Sequence, residues 1–202
     1  MHLLVALALA AQPWTLDVEK TELVVKVWKT GAAASLAHDH VIRAAKVTGA
    51  VQLDDEARPD SLALELVVDV ASLVPDEPEV KKRHLVGGPA VPEGDRAKVK
   101  ENMLGSEQLD AAKFPTIRFV VTQVTRDAQG AWQCAGRLTL HGVTKELKFP
   151  ITVSASGPRV VGEAKVRVRT SDFGVAPFSA ALGLIRNKDE VELVAHVEAV
   201  RP

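Results

Sequence analysis

Tyrosine is absent from this chain, aromatic residues make up only 4% of it, and its one cysteine, Cys134, stands alone. A single thiol has no intrachain partner, so no disulfide framework holds the fold and stability must come from a packed core. Between Trp132 and Gly136 that thiol falls on one face of an extended segment, where a cysteine reads as a small buried hydrophobe. Excess charge of one sign is missing too, with 25 Lys and Arg against 26 Asp and Glu. Such a balance gathers neither nucleic acid nor an anionic surface at long range, and no basic stripe with interleaved aromatics is present, so nucleic acid is excluded as a partner. Catalytic signatures are also lacking. There is no Gly-x-Ser-x-Gly elbow and no glycine-rich phosphate loop, so neither an enzyme nor a cofactor is expected.

Nor is any apolar run long enough to span a bilayer. Leu3 to Ala11 is unbroken but too short, and Ala8, Leu9 and Ala10 end it in the small-x-small pattern of a signal peptidase site. The preceding segment has His2 but no Lys or Arg. Residues 1–11 are therefore read as a signal peptide, with cleavage near Ala10 or Ala11 leaving Trp14 close to the mature N-terminus. No cysteine follows the run to carry a lipid anchor. The mature chain, 12–202, is expected as one periplasmic or secreted domain without a transmembrane segment.

What is present is alternation. From Gly136 to Leu140 and again from Leu147 to Val153, apolar residues occupy every second position, and Gly142 between them can take the positive φ of a tight reversal. The segment reads as a β-hairpin with one wet face and one apolar face that must be covered. Similar strands are expected at 14–17, 21–29, 41–53, 62–70, 117–125, 159–170 and 189–200, about eight main strands in all, a number at which closed barrels hold side chains or one ligand. Residues 71–108 break the pattern. Pro78 opens a helix through Leu85, with Asp76 and Glu77 before it and Lys81, Lys82, Arg83 and His84 in its last turns, and Gly87 and Gly88 stop it. Asp95 is a candidate N-cap for a second helix to Leu104, and so long an insertion reads either as a lid over a pocket or as a surface-packed crossover with no gating role. Ser171 to Asn187 is expected as a loop.

Leu138 to Lys145, with the apolar strand that begins near Phe149, resembles the central signature of the YceI-like family. Further matches are Leu109 to Phe119, Ser171 to Val175 and Lys188 to Leu193, in the same order and spacing, so the resemblance covers roughly Trp14 to Val200. It implies an all-β fold, an eight-stranded antiparallel lipocalin-like barrel, here with a short helical insertion. It also implies non-catalytic binding, transport or storage of an isoprenoid or similar long-chain lipid in the interior. Lys20 departs from the histidine often found in that position, and the 71–108 insertion is longer than the family pattern.

On this view Leu64, Leu66, Phe119, Trp132, Phe149 and Phe173 line the ligand channel, and His38 and His40 form a polar mouth. Two other readings stay open. His38 and His40 point the same way on an extended segment and could share a divalent metal, with a third ligand from His84, His141 or His196. Alternatively, the apolar residues simply fill the interior of a ligand-free, stress-related structural domain.

Overall fold

The computed structural model describes residues 14–54, 58–84 and 90–201, so the expected signal peptide lies outside the described residues. The alternating segments form strands. In chain order these are β1 (Thr15–Leu16), β2 (Glu22–Val27), β3 (Lys29–Thr30), β4 (His40–Ala44), β5 (Val47–Gln52), β6 (Ala63–Asp69) and β7 (Leu73–Pro75). Two helices follow, α1 (Pro78–His84) and α2 (Glu93–Leu104). Then come β8 (Thr116–Arg126), β9 (Trp132–Leu140), β10 (Val143–Ser156), β11 (Arg159–Arg169), β12 (Ser179–Ala180), β13 (Ile185–Asn187) and β14 (Glu190–Val200).

Antiparallel pairing runs from β6 through β8, β9, β10, β11, β14 and β2 to β4. Two bent arms complete the ring. The segment expected as one strand over 41–53 is broken at Ala45 and Lys46 into β4 and β5, and its partner is broken at Val70–Ser72 into β6 and β7. β5 pairs with β6 and β4 with β7, so the last arm hydrogen-bonds to the first and the sheet returns on itself. With each bent pair counted as one arm, this is the expected eight-stranded barrel.

The break is a fully bonded corner, which is why it is tolerated. The Asp69 amide donates to the Lys46 carbonyl at 3.2 Å, the Lys46 amide to Ser72 Oγ at 3.0 Å, and the Ala71 amide to the Asp69 carboxylate at 3.0 Å.

One end of the barrel is plugged. Trp14 is buried against Val51, Leu53, Val160 and Ala199, its indole N–H donates to the Leu53 carbonyl at 3.1 Å, and the Arg201 guanidinium lies 4.9 Å from its ring. The opposite rim gathers the end of β2, the start of β4 and the start of β14. A small second sheet of β12, β13 and β3 stands there, so the segment 171–187, expected as a loop, is partly strand. Short pairings of this kind carry too little alternation to be visible in sequence.

Helix α1 follows the expected charge pattern and is pinned by its polar residues, with Arg83 and His84 both on Glu22, at 2.5 and 2.9 Å. Its expected stop at Gly87 and Gly88 lies outside the described residues. Helix α2 starts at Glu93 rather than behind an Asp95 cap, because Pro92 already supplies the carbonyl that the Arg96 amide bonds at 2.9 Å. Asp95 serves in the first turn, where a carboxylate favours the helix dipole. No α2 residue is fully buried, and the helix is held by Met103 and Leu104 packed on the core. Among the described residues no helix is long and apolar enough to cross a membrane.

The hairpin centred on His141 and Gly142 has both residues at positive φ, 51° and 75°, the geometry of a two-residue type I′ connection. Within it Gly136 gives its space away. A Cβ there would lie 2.4 Å from Phe119 Cζ and 2.9 Å from the Val120 carbonyl oxygen. By contrast, nothing lies within 4 Å of a Cβ added at Gly162. Gly136→Ala is therefore expected to destabilise the protein by about 1–3 kcal/mol, and Gly162→Ala by less than about 0.5 kcal/mol, as read from denaturant unfolding of each variant.

Candidate functional site

The inward faces of the strands do not meet. They enclose a cavity of about 390 Å³, within the range of roughly 300–1,000 Å³ usual for small-molecule sites. Small residues keep it open: Gly162 and Ala164 of β11 form part of the wall where larger side chains would cross the barrel. The barrel interior is thus not filled by its own side chains.

Leu64, Leu66, Phe119 and Phe149 stand on the wall, joined by Leu138 and Val166. Trp132 and Phe173 do not line it. Trp132 is the first residue of β9, near the plugged end, and lies half-buried with the Arg126 guanidinium 4.0 Å from its ring. Phe173 sits in the 3₁₀ turn Thr170–Phe173 and is 1% exposed, packed on Val27, Leu138, Val168 and Val191 as rim structure. Phe178, farther along the same segment, lines the cavity. Strand alternation reports the inward face but not how far along the barrel the hollow reaches, and it says nothing of turns.

Polar groups collect near the rim. His40, Asn102, Gln108, Thr170, Asn187 and Lys188 line the cavity there, and Lys188 is also exposed, so the cavity opens to solvent at this end. Val99, Asn102 and Met103 bring α2 into the lining, which places the insertion across the cavity.

His40 has a built support at the rim. Its Nδ1 lies 2.6 Å from Oδ2 of Asp76, a carboxylate with 1% exposure. The Val41 amide donates to the other carboxylate oxygen at 3.0 Å, and Lys81 Nζ stands 3.7 Å from it. Lys81, itself buried, donates to the Asp39 carbonyl at 2.5 Å. Asp76 adopts φ 53°, uncommon for a non-glycine residue, and its own amide donates back to the Val41 carbonyl at 2.7 Å. Burial alone would push this carboxyl up. The hydrogen bond and charge of His40, the Val41 amide and the Lys81 charge outweigh burial and hold it below the ordinary aspartate range. Sequence reading placed Asp76 merely ahead of a helix. Neither its backbone turn nor its pairing with His40, 36 residues away, leaves a local signal.

The histidines read as metal ligands are dispersed. His38 is half-buried in the loop before β4 and is not a lining residue. His84 is on Glu22, His141 packs on the Phe114 ring at 4.3 Å, and His196 faces Glu163 at 3.2 Å. Among the described residues no group of three or more His, Cys, Asp or Glu is placed to hold a metal ion.

Cys134 lines the cavity and is 2% exposed, and burial pushes its thiol up to about 11. It is therefore protonated at neutral pH and a poor nucleophile.

Two outcomes follow from these groups. Because the folded-state value of Asp76 lies below its unfolded one, its stabilisation is complete above the unfolded value of about 3.9 and is lost as pH falls through the folded value. Asp76→Asn should lower stability at pH 7 by about 3–5 kcal/mol and flatten the acid limb of the stability profile, measured by denaturant titrations from pH 7 downwards. Native protein at pH 7.5 should resist iodoacetamide at Cys134, with rapid labelling only after unfolding, as followed by intact mass.

Comparison with known proteins agrees with this geometry. The sequence profile of the YceI-like domain matches residues 14–199. A UPF0312 protein of Yersinia enterocolitica is 31% identical over 113 residues, covering 53% of this chain and 56% of the relative. One from Enterobacter sp. strain 638 is 32% identical over 117 residues, with the same coverage, so the chain spans about half the length of the curated relatives it matches. BcnA of Burkholderia cenocepacia superposes with a TM-score of 0.67 at 17% identity, over 92% of this chain and 99% of that one. A polyisoprenoid binding domain from Saccharophagus degradans, implicated in plant cell wall breakdown, superposes at 0.59 and 12% identity, over 95% and 99%. With a closed eight-arm barrel, an apolar hollow and a family profile that spans nearly every described residue, the chain belongs to the YceI-like family.

Proposed function

We propose that the barrel binds one isoprenoid or similar long-chain lipid, storing or carrying it without catalysing its conversion, and that it does so after export to the periplasm or beyond. The carrying observation is the cavity, about 390 Å³ of space walled by aliphatic and phenyl side chains inside the closed barrel. The Saccharophagus domain of similar fold is described as polyisoprenoid binding, which supports the same ligand class here.

Magnitudes favour a long tail over a short one. Each methylene removed from water contributes about 0.8 kcal/mol, so ten give roughly 8 kcal/mol. Association itself costs about 4–15 kcal/mol, which a short chain does not overcome. The tail fills the hollow and the head group stays at the rim, where His40 presents an imidazole fixed by Asp76 and His38 lies on the loop leading to it. A protonated, buried Cys134 argues against covalent chemistry on the ligand.

Native mass spectrometry of protein purified without added lipid, followed by organic extraction, is expected to release a long-chain apolar compound at close to one per barrel. Ala164→Trp, which puts an indole into the hollow, should fold but carry none. Wild-type protein that is empty and takes up no isoprenoid from detergent would remove the carrier reading.

A further inference from the structure

Among the described residues four large apolar side chains are exposed, and three of them, Leu36, Leu182 and Leu184, share one place at the rim, with Leu36 77% and Leu182 fully exposed. They belong to two loops that touch. The Ala33 amide donates to the Leu184 carbonyl at 2.9 Å, Arg186 pairs with Thr30, and Gly31 leaves out a Cβ that would lie 2.4 Å from the Leu184 oxygen. Ala181, Leu182 and Gly183 are all left-handed, at φ 49°, 56° and 87°, a turn that two of these residues adopt against their preference and that leaves Leu182 in solvent. Both loops lead into the cavity. The first ends at His40, and the second is flanked by Phe178 on one side and by Asn187 and Lys188 on the other, all lining residues.

Charge distinguishes the same surface. The whole chain balances 25 basic against 26 acidic residues, yet residues 28–38 and 173–188 contain no Asp or Glu and carry Lys29, Arg186 and Lys188. Acids stand only at the segment ends, where the Asp39 carboxylate accepts from the Lys29 amide, Asp189 accepts from Thr170 and Ser171, and Asp172 lies in the preceding turn. The loop tips themselves thus pair exposed apolar side chains with basic ones, which suits the interface of a bilayer that contains anionic lipid.

We propose that these two loop tips dock on an anionic lipid membrane and seat the barrel mouth against it, so that a lipid passes between bilayer and cavity without crossing water. The purpose rests on the lipid-carrier reading above; the docking itself does not. The leucines enter the boundary between head groups and acyl chains, Arg186 meets the lipid phosphates, and the shallow contact leaves the protein free to depart.

The test is flotation with vesicles of phosphatidylethanolamine and phosphatidylglycerol, set beside vesicles of phosphatidylcholine alone. Wild-type protein is expected to float with the anionic vesicles and to be released by salt. Leu182→Ser/Leu184→Ser should lower the partition coefficient about tenfold, and Arg186→Gln should weaken binding to anionic vesicles only. Neither leucine lines the cavity, so the double variant should still load isoprenoid from detergent as wild type does, while its uptake from vesicles slows. Wild-type protein that loads lipid from detergent but does not float overturns docking. Protein that floats but never loads lipid overturns the carrier reading and leaves docking standing. A patch whose serine variant abolishes a wild-type dimer in sedimentation, with no vesicle binding, belongs to a second copy of this chain and also overturns the proposal.

Discussion

Closure of the barrel depends on the corner where Ala45 and Lys46 meet Asp69 to Ser72. There one pair of arms changes direction together, and the backbone groups freed by the bend find partners in the Lys46 carbonyl, the Ser72 hydroxyl and the Asp69 carboxylate. Without the bend, β4 and β5 would form one straight arm that could not pair with β2 at one end and stay with β6 at the other. Closure in turn fixes the phase of every strand, because a shift of one residue would exchange the wet and apolar faces. The hollow, its walls and its polar rim all follow from that phase.

The parts legible in sequence were those governed by near neighbours. Alternation along β6 to β11 and β14 is a local property, and it placed Leu64, Leu66, Phe119 and Phe149 on the inward face where they stand. Gly142 announced its turn, although the positive φ of His141 beside it did not show. What escaped was set by distant contacts. The corner at Ala45 looks like continuous strand until Ser72 is brought to it, and Asp76 looks like a helix lead-in until His40 meets it in space. Trp132 has the right face but lies near the plugged end, and Phe173 has a core residue's composition in a turn whose position no periodicity reports.

The polar rim and the apolar hollow are unequal in cost. Wall residues stabilise the fold wherever they pack, whereas a buried carboxylate with a left-handed backbone, paired with an imidazole and approached by a buried ammonium, is at best neutral against apolar replacements of the same volume. Its geometric effect is to hold the His40 ring beside the opening. Wall and rim thus divide the work. In the proposed carrier the first would supply driving force with little discrimination, and the second a defined hydrogen-bonding group at the opening.

The position of β14 gives the barrel a long-range seam. It pairs with β11 on one side and with β2 and β1 on the other, setting Leu193 opposite Val25 and Val200 opposite Thr15. The seam therefore joins the first described strands to the last. A loop of well over a hundred residues must close before the contacts between β14 and β2 are gained, a slow step for any sheet. Until then the curved wall has an open edge and an uncovered apolar face. The wall is a container only with this seam closed, and an open trough without it.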